Sequence, residues 1–200
     1  MNHKMNLKKT YDFYAYEREE SEISEWKLII RDKFLNLLKT ENKKTLIELG
    51  AGHGRDSRFF IDNGIKVMAV DLSEKMVELC NNKGIEAYEF DFYHLSKLKK
   101  TFDAVWAMNS LLHVEKNKLE EVLIEIKKSL NENGLFFLGV YGGQDSEGIW
   151  ESDYYEPKRF FSFYTNDKIK NILEKHFEII SFEDIETKTL NFQAFTLKNI

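Results

Sequence analysis

Apolar positions follow two spacings along this chain. Between 21 and 39, Trp26, Ile29, Ile30, Phe34, Leu37 and Leu38 recur every three or four residues, which predicts an amphipathic helix. Short apolar runs then take over. Residues 44–49 predict a first strand that ends in glycines, and "IKVMAVD" at 65–71 a second. "IEAYEFD" at 85–91, "FDAVWAM" at 102–108 and "LFFLGVY" from 135 predict three more. Helical patterns lie between them. One at 54–63 stops at Asn63–Gly64, one is capped by Ser73 and runs to Lys83 before Gly84, and one at 116–130 puts Leu119, Val122, Leu123, Ile126 and Leu130 on one face. Parallel strands need crossover helices, so the alternation from 44 to 141 predicts a doubly wound α/β sheet with helices on both faces.

Past residue 141 the rhythm changes. Residues 142–164 form the longest irregular region and hold the single proline, Pro157. A helix at 166–176 precedes strands at 177–186 and 190–199, and the three residues between these strands leave room only for an antiparallel hairpin. No repeat, low-complexity tract or linker interrupts the 200 residues, so the expectation is one domain over 1–200, with a helical lid at 1–40 and an insertion at 142–165 on the substrate side.

Composition removes several functions. The net charge is -5 and the only cluster of Lys residues that stands out is "KLKK" at 97–100, which speaks against nucleic acid, where phosphate neutralisation supplies most of the affinity. A single cysteine, Cys80, excludes an internal disulfide and a multi-cysteine zinc site, and it reads as a small core residue. Asp, Glu and His do not cluster at ligand spacing, so no metal is expected. No run reaches the ~20 apolar residues of a membrane helix, and the N-terminal residues lack an apolar signal core, so no membrane partner and a cytoplasmic location are expected. A monomer and a homodimer both remain open.

The chemistry-bearing stretch is "TLIELGAGHG" at 45–54. In an open α/β sheet, ligands bind beyond the carboxyl ends of the strands, where this loop sits. The dinucleotide pattern G-x-G-x-x-G needs its third glycine at position 55, which is arginine here, and no G-K-[ST] of a phosphate loop follows. The spacing that is present, E-x-G-x-G-x-G, resembles the first motif of the class I S-adenosylmethionine-dependent methyltransferases. "VMAVDLS" ends the second strand in Asp71, "FDFYHL" the third in Asp91, and "VWAMNSLLHV" follows the fourth, each at a place where that family carries pocket residues. "GRDS", "SLLHV" and "RFFSFYT" further resemble its small stand-alone branch.

The resemblance implies a three-layer Rossmann-like fold with a seven-stranded, mostly parallel sheet and an antiparallel last strand. It implies S-adenosylmethionine as cofactor and a small-molecule acceptor with an O or N nucleophile. Gly50, Gly52 and Gly54, with Ala51 and Arg55, would let the backbone approach the methionyl part and ribose. Glu48 would orient the cofactor's amino group, and Asp71 would hold both ribose hydroxyls, an ionised carboxylate being acceptor-only. Leu72 and Phe92 would sandwich the adenine, Asp91 would read its amino group, and Met76 and Asn109 would complete the pocket. Arg55 and Asp56 otherwise read as a first-turn ion pair.

On the acceptor side, His113 follows the fourth strand and is the candidate general base, since an unperturbed imidazole titrates near neutrality; a loop-packing role is its alternative. Tyr11, Tyr14 and Tyr16 of the lid, with Tyr141, Trp150 and Arg159, are the expected acceptor residues along with His113. Five acids between 144 and 156 interleaved with Trp150, Tyr154 and Tyr155 suggest a cationic acceptor, against a plain solvated loop. Two rival functions stand beside the enzyme: a non-catalytic S-adenosylmethionine-binding module, and an NAD-binding Rossmann domain.

Overall fold

The computed structural model of the chain describes residues 3–188 and 190–200. Three helices come first: α1 (His3–Phe13), α2 (Ala15–Glu20) and α3 (Glu25–Thr40). Then β1 (Thr45–Leu49), α4 (Arg55–Asp62), β2 (Lys66–Asp71), α5 (Glu74–Asn82), β3 (Glu86–Glu89), β4 (Phe102–Met108), α6 (Leu119–Ser129) and β5 (Leu130–Gly142) alternate. The chain closes with a small hairpin of β6 (Ser146–Ile149) and β7 (Phe160–Phe163), then α7 (Asn166–Leu173), β8 (Glu178–Ile185) and β9 (Asn191–Lys198).

Seven strands form one sheet in the order β3-β2-β1-β4-β5-β9-β8. Strands β1 to β5 are parallel, and β9 runs antiparallel to both of its neighbours. The order reverses between β1 and β4, so the loop after β1 opens at the switch point. Apolar side chains pack on both faces. Phe34, Phe60, Trp106 and Phe137 fill one layer, beneath α3 and α4. Ile47, Val105, Leu123, Ile126 and Phe136 fill the other, beneath α6. Adjacent residues of β4 serve opposite layers, Trp106 one and Val105 the other, because strand side chains alternate. Among the described residues no helix is long and apolar enough to cross a membrane.

Two differences from the sequence reading bear on the site side and on the sheet. The stretch expected to be irregular at 142–164 contains the β6–β7 hairpin, whose strands hydrogen-bond to each other and not to the main sheet. The helix expected to reach residue 130 ends at Ser129, because Leu130 already pairs with Phe102 in the sheet. A bulge between Phe102 and Ala104 absorbs the residues around Asn133, whose φ of 56° turns the backbone.

Candidate functional site

The glycine loop is held from below. Both Gly50 and Ala51 donate to the Val70 carbonyl (2.8 and 3.1 Å), and Gly52 N–H donates to Asp71 Oδ2 at 2.8 Å. Gly50 has a φ of +70°, and a Cβ there would lie 2.5 Å from the Cβ of Ser110, so only glycine lets the two loops meet. Gly54 is needed for a different reason. Its φ is +81°, and a Cβ would lie 2.6 Å from Ile85 and 2.8 Å from the Cys80 sulfur. Its smallness therefore answers to packing against Cys80 of α5 and Ile85, and it is not among the residues that line the cavity over the loop. Cys80 is buried beneath the loop, bonds the Gly52 carbonyl at 3.2 Å, and burial pushes its thiol up to about 12.

A cavity of about 230 Å³ lies over this loop. Of the expected cofactor residues, Glu48, Gly50, Ala51, Gly52, Arg55, Asp71, Leu72, Phe92 and Asn109 line it. Met76 does not. It is fully buried against Ala15 and Leu79, so it is the socket on which the lid packs. Asp91 does not line the cavity either: its Oδ2 accepts from Lys4 of α1 at 2.7 Å and its Oδ1 from Tyr93 N–H at 3.1 Å, so the carboxylate faces the lid. The expected Arg55–Asp56 ion pair is absent. Arg55 donates to the Ser21 carbonyl, while Asp56 accepts from Arg31 at 2.9 Å and from the Trp106 indole at 3.0 Å. His53 also lines the cavity, close to Lys83, and burial followed by the Lys83 charge lowers its pKa to about 4.

The lining of this cavity mixes carboxyls with the cations Arg18, Lys27 and Arg55. Glu48 is buried at the end of β1 and accepts from Ser57 Oγ. Burial, and then the carboxylate of Asp56, hold its pKa well above the ordinary glutamate value. Burial also raises Asp71, against the hydrogen bonds from Ser73 N–H (2.9 Å) and Gly52 N–H that favour its ionised form. Beside them, Asn109 Oδ1 and Ser110 Oγ are buried with no hydrogen-bond partner, and Asn109 is itself in the left-handed region, with φ 58°. Orphaned buried acceptors are rare and costly, and a cluster of them is a docking place for donors.

Glu48 makes a pH prediction. A carboxyl whose folded pKa is raised stabilises the fold fully below its unfolded pKa, and that contribution is lost as pH rises through the folded value. Glu48→Gln removes the titration, so its melting temperature should gain on the native chain as pH rises from about 4.5, near the ordinary glutamate pKa, to 8. A constant offset across paired melting curves would show that Glu48 is not held protonated.

A second cavity, of about 630 Å³, adjoins the first. Tyr11, Arg18, Ser24, Lys27, Asn109 and His113 line both. Of the expected acceptor residues, Tyr11, His113, Tyr141, Trp150 and Arg159 line the second. Tyr14 and Tyr16 line neither: Tyr14 stacks on Tyr155, and Tyr16 is exposed. His113 bonds the Phe160 carbonyl through Nδ1 at 2.7 Å, and a carbonyl only accepts, so Nδ1 carries the hydrogen. Nε2 is left to accept from the Tyr11 hydroxyl at 2.8 Å, and Arg159 donates to that same hydroxyl at 3.0 Å. Burial lowers His113 to about 3. Both nitrogens are engaged and the ring is a weak base, so the geometry corrects the general-base expectation: His113 orients Tyr11.

The acids at 144–156 do not face the acceptor side. Asp145 pairs with Lys116 and Lys168, Glu147 caps Lys116 N–H, and Glu151 pairs with Lys158. Asp153 is buried and holds Arg159 with both oxygens. None of these acids lines either cavity, which removes the basis for a cationic acceptor. Sequence reasoning missed Arg18 and Lys27. Arg18 is a lone cation among Glu17, Glu19 and Glu20, and Lys27 follows an apolar tryptophan on an amphipathic helix, so both read as solvated surface. The one available signal was the sign of Arg18 inside that acidic run.

Residues 46–134 match a protein family described as a methyltransferase domain. No curated protein matches the chain. Among solved structures, the Burkholderia thailandensis 1,6-didemethyltoxoflavin-N1-methyltransferase, with bound 1,6-didemethyltoxoflavin and S-adenosylhomocysteine, is similar: TM-score 0.74, 18% identity, covering 98% of this chain and 88% of that one. The Synechocystis PCC 6803 magnesium protoporphyrin IX methyltransferase with bound S-adenosylmethionine has a TM-score of 0.73 at 14% identity, covering 100% and 98%. The [4+2]-cyclase SpnF has a TM-score of 0.65 at 17% identity, covering 84% and 80%. At these identities the likeness is one of fold, and the cyclase among them makes the reaction a matter for the site's own chemistry.

Proposed function

We propose, from the match of residues 46–134 to a methyltransferase domain and the fold that surrounds it, that the chain uses S-adenosylmethionine to methylate a small-molecule acceptor in the cytoplasm. When bound, S-adenosylmethionine supplies a methyl group on a sulfonium, on a chain that ends in an ammonium and a carboxylate. The observation that carries the reading is the cavity that would receive it: two buried carboxyls with raised pKa, and the two orphaned acceptors Asn109 Oδ1 and Ser110 Oγ. Such a site favours a ligand rich in hydrogen-bond donors.

Each residue's role follows from its place. Asp71 takes the ribose hydroxyls on the lone pairs left free by its two backbone donors. Leu72 and Phe92, with Leu7 from α1, form the apolar walls for adenine. Glu48 and Asn109 face the methionyl end. Tyr11, fixed by His113 and Arg159, stands where the two cavities meet and sets the angle at which an acceptor reaches the first. Orientation of this kind supplies ~7–11 kcal/mol of a displacement barrier, so the chain needs no strong base of its own.

The test is calorimetry with S-adenosylmethionine, S-adenosylhomocysteine and NAD, followed by incubation with methyl-labelled cofactor and a small-metabolite extract. Both methionine compounds should bind, NAD should not, and label should appear in a small molecule. Binding of NAD alone would replace the assignment with a dinucleotide domain. Binding of the methionine compounds with label retained on the cofactor would favour a non-catalytic module.

A further inference from the structure

In the lining of the second cavity, cations outnumber carboxylates among the described residues. Among the described residues, its lining contains Arg18, Lys27 and Lys188 against one carboxylate, Glu186; Arg159 is already neutralised by Asp153. Arg18 and Lys27 make no ion pair among the described residues. Their contacts are with rings. Arg18 lies 5.1 Å from the Tyr11 ring, and Lys27 lies 5.2 Å from Trp26 and 5.5 Å from Tyr141. Lys27 is half-buried, and the acid acting on it, Asp56, is taken by Arg31 and Trp106. Burial, with Arg18 and Arg55 as like charges, lowers the Lys27 ammonium to about 8, the signature of a cation held without its counter-ion. The neighbouring cavity holds Glu22, Glu48, Asp56 and Asp71 in its wall together with Arg18, Lys27 and Arg55.

We propose that the methyl acceptor is a small aromatic anion, its ring against the aromatic wall of the larger cavity and its charged group between Arg18 and Lys27. The inference rests on the methyl-transfer reading and names its substrate class. Trp150, Phe161 and Phe163 form that wall, their rings meeting edge to face or stacked at 5.3 to 6.0 Å. A volume of about 630 Å³ accommodates one or two fused rings. Arg18 and Lys27 line both cavities, so an anion between them sits on the boundary, next to the cofactor side. There it meets a lining in which cations outnumber carboxylates, Arg18, Lys27 and Lys188 against Glu186.

The experiment titrates the full chain, first with S-adenosylhomocysteine and then, once saturated, with three ring compounds of similar size: 4-hydroxybenzoate, 4-hydroxybenzamide and 4-hydroxybenzylamine. The expected order places the benzoate about tenfold or more tighter than the amide, with the amine weakest. Lys27→Met should weaken the benzoate about tenfold and narrow its gap to the amide. Arg18→Met, on a separate helix, does the same and serves if Lys27→Met does not fold. The proposal is overturned if the amine or amide binds as well as the benzoate, if the benzoate does not bind the saturated protein, or if its preference survives both substitutions. Failure of S-adenosylhomocysteine to bind in the first titration would instead overturn the methyl-transfer reading itself.

Discussion

Trp106→Ala should cost ~3–5 kcal/mol of stability, the usual range for emptying a large aromatic site in a core, and lower the melting temperature by roughly 10 °C for a chain of this size. The side chain is fully buried on β4. Its ring stacks on Phe137 with centroids 4.0 Å apart and packs on Phe34 at 5.3 Å and Phe60 at 5.2 Å. Those three partners come from β5, α3 and α4, so the indole ties two helices to the centre of the sheet. It also has a polar duty. Its Nε1–H donates to Asp56 Oδ2, and Asp56 is a wall residue of the cofactor cavity. Trp106→Phe separates the two roles: it keeps most of the ring contact but strands one carboxylate oxygen, at a cost of ~1–3 kcal/mol. Urea unfolding of both variants should rank alanine below phenylalanine and phenylalanine below the native chain. A phenylalanine variant as stable as the native chain would show that the Asp56 bond carries no stability.

Trp106 also illustrates what the sequence made legible. Its strand was readable because "FDAVWAM" is apolar throughout, as a strand covered on both faces must be. The same logic recovered β1, β2 and the C-terminal hairpin, where spacing and turn chemistry are local properties. The cofactor loop was readable because the glycines and Asp71 lie at strand ends, and strand ends converge in a doubly wound sheet. What was not readable depends on contacts remote in sequence. Asp91 sits at the expected strand end, yet Lys4, 87 positions earlier, takes its outer oxygen. Gly54 belongs to the motif, but its smallness answers to Cys80 and Ile85. The acids of 144–156 looked like a binding face, and Lys116, Lys158, Arg159 and Lys168 consume four of the five. Arg18 and Lys27 looked like surface, yet they line both cavities and make no ion pair among the described residues. In each case the side chain's chemistry was evident and its partner was not.

For Asp71 the partners decide the size of the effect, and Asp71→Ala should weaken S-adenosylhomocysteine binding by ~1–3 kcal/mol, or about tenfold to a hundredfold. A carboxylate offers two oxygens with about four lone-pair sites. In the structure Oδ2 accepts from Gly52 N–H and Oδ1 from Ser73 N–H, so each oxygen keeps capacity for one further donor. Two adjacent ribose hydroxyls match that remainder. Alanine removes all four acceptor sites, which releases the glycine loop and the start of α5 as well as the ligand. Asp71→Asn is the sharper variant. Its amide has one acceptor oxygen, so its NH2 must oppose either Gly52 N–H or Ser73 N–H, a donor against a donor. Asparagine should therefore lose affinity too, although it is nearly the same size. Calorimetry with S-adenosylhomocysteine, alongside melting curves to confirm folding, reads both variants. If Asp71→Ala bound with native affinity, Asp71 would not hold the ribose, and the capacity left on its oxygens would be spent on the loop alone.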